Sequence, residues 1–381
     1  MKQIVIAGAG PSGLVIARRY AEQGNKVLVM EERNHIAGNL FDYKNKAGII
    51  IHQYGPHIFQ TSDIDVINYV KQFGTWKEFR HKVNVRIGDL EVPLPINFMS
   101  IDMLWPERAE EIKNTLSEEF KGQEVTYIID MINHSNPIVK EIGDFVYKNV
   151  FENYTTKMWG ITPEEIDPSV LKRVPIRLSY DDGYFTDTFQ AVPEHGYTKI
   201  FEEVANHPNI EIQLDTNALE QVVLQDNKYY LKDSMEEIVF VWTGAIDRLF
   251  DFKYGELPYR SLRFEFEDLD VDSYQSRYVV NYPADPKMTR ITEYKKLSQQ
   301  EDDSCLKGIT AIGREYPGQY REEGFDVPYY PIFKKESSDV LPKYFEEADK
   351  IDNLIYIGRL AENKYKQMWM AIKDALEKEL K

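Results

Sequence analysis

Residues 2–32 read KQIVIAGAGPSGLVIARRYAEQGNKVLVMEE. IVIA is a short apolar strand. Gly8-Ala9-Gly10-Pro11-Ser12-Gly13 fits the spacing G-x-G-x-x-G, LVIARRYAEQ continues as a helix, and Lys26–Met30 is a second strand ending at Glu31. Gly8 permits a tight turn, Gly10 lets a pyrophosphate approach the backbone, and Gly13 lets helix and strand pack closely. The helix start offers free N–H groups and a positive dipole end to phosphate. Glu31 stands where a carboxylate accepts hydrogen bonds from a ribose. Strand, glycine turn, helix, strand and acid in this register predict a dinucleotide site.

The next stretch, EERNHIAGNLFDYKNKAGIIIHQYGPHIF, helps choose the dinucleotide. It carries Arg33, then Ala37-Gly38-Asn39, a hairpin of Asn39–Tyr43 with Ile49–Gln53, and the loop Tyr54-Gly55-Pro56-His57. A glycine-bearing loop behind the second strand resembles FAD-binding proteins of the glutathione-reductase type and favours FAD over NAD. The usual form has two glycines there, and Ala37 replaces one.

The chain of 381 residues allows two or three domains. Its net charge of −17 speaks against a nucleic-acid partner, which needs a dense basic surface. A phosphorylated ligand needs only a few arginines and stays open. The single cysteine, Cys305, allows no internal disulfide and fits a reducing, cytoplasmic setting. No apolar run reaches the ~18 residues of a membrane span.

Residues 62–73 read as a helix, 81–96 as a hairpin about Gly88-Asp89, and 98–160 as helix-rich, with Ile138, Ile142, Phe145, Val146 and Val150 on one face. Mixed structure returns at 196–247: a helix at Thr198–Ala205, strands near Ile210–Leu214 and Leu219–Gln225, and a strand-turn at Ile238–Asp247. Residues 259–335 alternate as strands at Arg260–Phe266, Arg277–Tyr282, Arg290–Lys295 and Lys307–Ile312. The tail is a strand, LIYIG, and a helix with Met368, Ile372, Ala375, Leu376 and Leu380 on one face. The expected fold is α/β with α+β inserts. A discontinuous FAD-binding Rossmann-like domain (1–80, 195–250 and 336–381) is opened by a mainly helical substrate domain (81–194) and an antiparallel β-sheet domain (251–335).

The seven histidines show no HExxH, and no paired CxxC exists, so no metal is expected. No G-x-S-x-G elbow occurs, which leaves the chemistry to a bound flavin. Tyr154-Thr-Thr-Lys-Met-Trp159-Gly160, with Leu171–Arg177 and Asp181–Asp187 beyond it, groups Trp, Tyr and Arg. Such residues stack on a base or sugar and fork onto a phosphate. On the residues alone, a core Trp159 and a surface Arg173 are an equal reading.

Taken together, GAGPSG, VLVMEERNHIAGN, QYGPHIF, YTTKMWG, KRVPIR, GYFTD, GYTKIFE, WTGAIDRLFDFKYGELPYRSL, MTRITEYK, REYP, VPYYPI and IGRLAENKY resemble the bacterial UDP-galactopyranose mutases, in order from about residue 3 to 372. The resemblance implies a flavoenzyme that interconverts the pyranose and furanose rings of a nucleotide-linked sugar for cell-surface polysaccharide, without net redox. Reduced FAD acts through N5 as nucleophile at the anomeric carbon. An external reductant such as NAD(P)H primes the flavin, and a homodimer is a further expectation.

The resemblance also implies roles. Arg173 and Arg290 hold the diphosphate and stabilise its charge as it leaves. Arg260 belongs to the same set. Tyr316 and Tyr365 donate to phosphate oxygens. Thr155, Trp159 and Tyr184 line the nucleotide and sugar cleft, and His81 and Asn281 stand on its wall. Gly8, Gly10, Ser12, Gly13, Glu31, Arg33, Asn39, His57, Ile58, Arg359 and Met368 bind FAD, with His57 beside the flavin helping to set N5 protonation.

Five departures from the family pattern stand out. The family's HIFHT is His57-Ile-Phe-Gln60-Thr61 here, and the aspartate before the tail methionine is Gln367. Lys366 and Asn363 replace tyrosines, and Met158 stands for a glutamine of YTxKQWG. Gln60, Lys366 and Gln367 are therefore the expected specificity positions. UDP-galactopyranose is the first substrate expectation. A dTDP-linked 6-deoxygalactose or UDP-linked N-acetyl sugar comes second. An FAD oxidoreductase and a non-catalytic binder are the alternatives of other classes.

Overall fold

The computed structural model describes residues 3–160, 175–332 and 335–381, without the side chains of Trp159 and of residues 335–338. At its centre is a five-stranded parallel sheet. The strand order is Ile210–Gln213, Lys26–Met30, Gln3–Ala7, Ile238–Trp242 and Leu354–Tyr356. Both faces of this sheet are covered, which is why QIVIA and IVFVW are apolar at nearly every position. Ile4 and Ile6 pack under the helices Pro11–Glu22, Tyr197–Ala205 and Met368–Glu377. Val5, Phe240 and Trp242 face the other way, against Tyr344 of the helix Lys335–Ala348. Pro342 lies inside that helix, and this break in the helical pattern hid it from the sequence reading.

A seven-stranded sheet is built in the order Tyr330–Pro331, Tyr259–Leu269, Thr310–Gln319, Arg290–Glu293, Val279–Asn281, Val83–Ile87 and Leu90–Leu94. Neighbours are antiparallel except Val279–Asn281, which runs parallel to Val83–Ile87. The hairpin of residues 83–94 thus joins this sheet, whereas the sequence reading put residues 81–96 with the helical segment. Alternation had shown the hairpin itself, but a parallel partner nearly 200 residues away leaves no local signal.

One face of the sheet, bearing Val83, Val85, Val279 and Ala311, packs on the helices Ala109–Glu119, Ile128–Ile132 and Pro137–Val146. Asn136 caps the last of these by accepting from the Ile138 N–H, with Pro137 in the first turn. A wider, π-helical turn, Tyr147–Glu152, then leads into the helix Asn153–Trp159.

Several expected strands are shorter than read. Ala218–Gln221 is helical before the strand Val222–Gln225. The strand at Arg290 ends at Glu293, and Tyr294–Leu297 forms a helical turn whose Tyr294 hydroxyl reaches the His52 carbonyl.

Candidate active site

The glycine turn is crowded where it must be. A Cβ on Gly8 would lie 2.1 Å from Thr243 Oγ1, and one on Gly13 would lie 2.0 Å from the Gly8 carbonyl oxygen. The loop Ala37–Gly38 closes over the turn, with the Ala37 N–H donating to the Ala9 carbonyl at 2.8 Å. A Cβ on Gly38 would come within 3.0 Å of Gly10 Cα. The two loops therefore meet glycine to glycine. Ala37 takes φ +69°, the left-handed turn that the second glycine of the usual pattern would supply without strain.

Glu31 is buried at the end of its strand, accepting from the Ala9 N–H at 2.8 Å and the Arg33 N–H at 3.1 Å. Arg33 donates to Asn39 Oδ1 at 3.0 Å and lies over the Tyr54 ring. Ser12 Oγ donates to the Ala371 carbonyl at 3.4 Å. This contact sets the first turns of the helices Pro11–Glu22 and Met368–Glu377 side by side. Neither has a side-chain cap, so their N–H groups and dipoles suit a phosphate-bearing ligand.

His57 lies between this cradle and the larger sheet. Its N–H donates to His52 Nδ1 at 3.1 Å, and its carbonyl accepts from the Tyr197 hydroxyl. Its own Nδ1 is buried and has no hydrogen-bond partner among the described residues. Burial, with the positive fields of Arg359 and Arg290, pushes its pKa down to about 3. The ring is neutral at physiological pH, with one nitrogen left for a ligand.

Arg290 is the hub of the cleft. Asn281 pairs with Arg290 across one strand boundary and Arg290 with Glu315 across the next, so all three share a face. Arg290 donates to Glu315 Oε2 through Nε at 2.8 Å and through Nη2 at 2.6 Å. Glu315 is 1% exposed and also accepts from Thr289 Oγ1 at 2.7 Å. Burial opposes the charge on Arg290, but Glu315 and the Tyr154 and Tyr330 hydroxyls hold its pKa above the usual arginine value. The Arg290 charge is felt in turn at His57, His81, Tyr154, Tyr184 and Tyr330.

Burial raises the pKa of Tyr154 and Tyr330, so these phenols stay protonated donors. Tyr330 stacks on Tyr365 with ring centroids 5.6 Å apart, and Arg359 lies over both rings. His81 is buried, its Nδ1 bonded to the Tyr278 hydroxyl. Tyr184 leans on His81 at 5.1 Å and is 39% exposed. Thr155 is buried on the helix that carries Tyr154. Cationic guanidinium, protonated phenols and an exposed aromatic stack form a set that suits a diphosphate and the ring attached to it.

Several expected site residues stand elsewhere. Tyr316 is one strand position past Glu315, so it turns to the opposite face, where it packs near Ile291 and donates to Glu265 Oε2 at 2.9 Å. Tyr330, next in register to Arg260, holds the place in the cleft that was expected for Tyr316. Arg260 is buried and donates to the Met158 carbonyl at 2.8 Å and the Lys157 carbonyl at 3.2 Å. It anchors the end of the helix Asn153–Trp159 rather than facing a ligand. The Lys366 ammonium is buried between Glu362 and Asp374, so its charge is spent on the last helix. Ile58 and Met368 are half-buried at the edges of the two large cores. Arg173 and the Trp159 side chain lie outside the described residues.

Gln60 and Gln367, expected as specificity positions, meet: Gln60 Nε2 donates to Gln367 Oε1 at 2.9 Å. The same oxygen accepts from Trp369 Nε1 at 2.6 Å. Glu315 and Tyr330 had not been singled out from sequence, and Tyr154 only as the first residue of YTTKMWG. VPYYPI carried a usable signal, but which of its two tyrosines faces the cleft depends on strand register.

Residues 149–365 match the family model described as UDP-galactopyranose mutase, and residues 6–73 match that of an NAD(P)-binding Rossmann-like domain. A UDP-galactopyranose mutase of Mycoplasma genitalium is 35% identical over 380 residues, covering 98% of this chain and 93% of the relative. A dTDP-fucopyranose mutase of Escherichia coli is also 35% identical, covering 99% of this chain and 97% of the relative. In fold, a reduced UDP-galactopyranose mutase superposes with a TM-score of 0.69 at 15% identity, over 99% of this chain and 93% of that one. No helix among the described residues is long and apolar enough to cross a membrane.

Proposed function

Because the chain belongs to the UDP-galactopyranose mutase family, we propose that it is an isomerase interconverting UDP-galactopyranose and UDP-galactofuranose. The observation that carries this reading is Arg290, fixed on buried Glu315 and facing Tyr154, Tyr330 and His57. A nucleoside diphosphate leaving group needs this kind of fixed, desolvated cation.

FAD fits the cradle on three observations. Gly10 and Gly38 leave no side chain between the loops, two uncapped helix starts lie together, and His57 Nδ1 lacks a partner among the described residues. Gly8, Gly10, Ser12, Gly13, Glu31, Arg33, Asn39, His57, Ile58, Arg359 and Met368 would hold it. When reduced, FAD supplies the nucleophile that acts at the anomeric carbon, and the overall reaction has no net redox. The protein does the rest. Arg290, with Arg173, binds the diphosphate and stabilises its negative charge. The Tyr330 and Tyr365 hydroxyls donate to its oxygens. Neutral His57 keeps one buried nitrogen for the cofactor and adds no charge beside it. The helix wall bearing Tyr154 and Thr155, with Tyr184 opposite, keeps water from the reacting carbon. An external reductant such as NAD(P)H, a homodimer and a cytoplasmic location complete the proposal.

A second reading, the same ring contraction on a dTDP-linked 6-deoxygalactose, is favoured by the neutral Gln60–Gln367 pair. That pair replaces an ionisable histidine and aspartate of the family pattern, and one relative is named a dTDP-fucopyranose mutase. Reduced protein is incubated with UDP-galactofuranose and, separately, with dTDP-fucofuranose, and the pyranose products are resolved by chromatography. Conversion of the first supports the main reading. Conversion of the second alone transfers the assignment to the second reading. Steady consumption of reductant during turnover would count against both.

A further inference from the structure

Lys157 lies one helical turn beyond Tyr154 on Asn153–Trp159. Its ammonium leaves the helix and enters the turn between the strands Val279–Asn281 and Arg290–Glu293. There Nζ donates to the carbonyl oxygens of Tyr282 at 2.9 Å, Asp285 at 2.5 Å and Met288 at 2.5 Å. An ammonium has three donors, and three main-chain acceptors meet them.

The turn is itself rigid. Asp285 Oδ1 accepts from the N–H groups of Lys287 and Met288, and the Tyr282 N–H donates to the Thr289 carbonyl. Its two ends are Asn281 and Arg290, cross-strand partners on the face of the cleft. On the other side, Arg260 grips the Lys157 and Met158 carbonyls. The helix is thus held by one cation at its end and reaches out with another. Among the described residues, the groups assigned to the chemistry make no hydrogen bond to the Lys157 ammonium, and nothing in the proposed chemistry uses it.

We propose that Lys157 is a positioning residue for the diphosphate: its ammonium, seated in the carbonyl cage at 282–288, sets the spacing between the Tyr154 helix and Arg290. This rests on the reading of the Arg290 cleft as the diphosphate site. Both walls must touch the same ligand, and a shift of about 1 Å between them can cost about 100-fold in rate.

The test uses the FAD-loaded protein and UDP as probe, with turnover of UDP-galactofuranose measured alongside. Lys157→Ala is expected to weaken UDP binding at least tenfold and to raise KM more than it lowers kcat. FAD content should not change. The emptied cage should accept a free ammonium ion, so ammonium chloride restores affinity while tetramethylammonium chloride at equal ionic strength does not. Lys157→Arg keeps the charge, but a planar guanidinium does not match three convergent carbonyls. It should lose affinity without recovery by ammonium, and it decides the matter if the alanine variant does not fold. Wild-type affinity in either variant, or a loss in Lys157→Ala that ammonium leaves untouched, overturns the assignment. Wild-type protein that binds neither UDP nor dTDP overturns the reading of the cleft, and this proposal with it.

Discussion

Gln60 and Gln367, 307 positions apart, are joined by a single side-chain hydrogen bond, with Gln367 Oε1 accepting from both Gln60 Nε2 and Trp369 Nε1. The bond is directional, and this sets an asymmetry. Gln60→Ala removes one donor and leaves Gln367 still bonded to Trp369. Gln367→Ala strands two donors, each costing about 1–3 kcal/mol when desolvated. Urea unfolding should therefore find Gln367→Ala the more destabilising, with the double variant falling short of the sum by about 1 kcal/mol. Equal costs or full additivity would mean that the bond carries no weight.

Arg290→Ala is expected to abolish turnover by orders of magnitude and to cost stability as well. Glu315 is 1% exposed, and removing its partner leaves a buried carboxylate, a loss of about 3–5 kcal/mol. Retention of FAD, read from the flavin absorbance, distinguishes loss of the clamp from loss of the fold. Near-normal activity would remove Arg290 from the site.

Tyr330 and Tyr316 make a matched pair of controls. Tyr330→Phe should weaken UDP binding by about tenfold, the worth of a hydrogen bond to a charged group. Tyr316→Phe loses only its bond to Glu265 on the far face and should stay within about twofold. The reverse ranking would restore the motif-based choice.

Stability should fall in mild acid. His52 and His81, 3% and 7% exposed, have their pKa values pushed down to about 3 by burial, against about 6.5 when unfolded. A group with a depressed folded pKa contributes fully above its unfolded value and loses that contribution as pH drops. Each histidine then costs about 1.4 kcal/mol per pH unit below about 6.5. The urea midpoint should decline steeply from pH 6.5 to 5 and stay flat from 7 to 8. A flat profile through pH 5 would show that these rings are open to water.

Gly38→Ala should lower FAD occupancy in the purified protein. Its φ of +55° strains a side chain by about 1–3 kcal/mol, and the new Cβ presses on Gly10 at 3.0 Å. An unchanged ratio of flavin to protein absorbance would rule out close approach of the two loops to the cofactor.

The opening unit was legible because its signals are local: Gly8, Gly13 and Glu31 act within one strand-turn-helix-strand. His57, Arg290 and Arg359 were named through motifs, and the charges of both arginines reach His57. The misplacement of Tyr316 has a plain cause. Tyr316 and Glu315 are adjacent in sequence, yet a strand sends them to opposite faces. Arg260 and Lys366 are cations already engaged within the protein, the first by main-chain carbonyls about a hundred residues away and the second by Glu362 and Asp374 close by in the chain. Sequence patterns name residue types at a site but not the register that aims them.

The contact between Ser12 and Ala371 spans 359 residues. On a ribosome the glycine turn is made long before the helix that lies beside it. The edge strand Leu354–Tyr356 likewise reaches its neighbour Ile238–Trp242 only then. Such non-local closure is slow. Cofactor uptake is consequently a report that synthesis of this span has finished, and a nascent chain stalled before residue 354 emerges with an apolar strand edge for chaperones to cover.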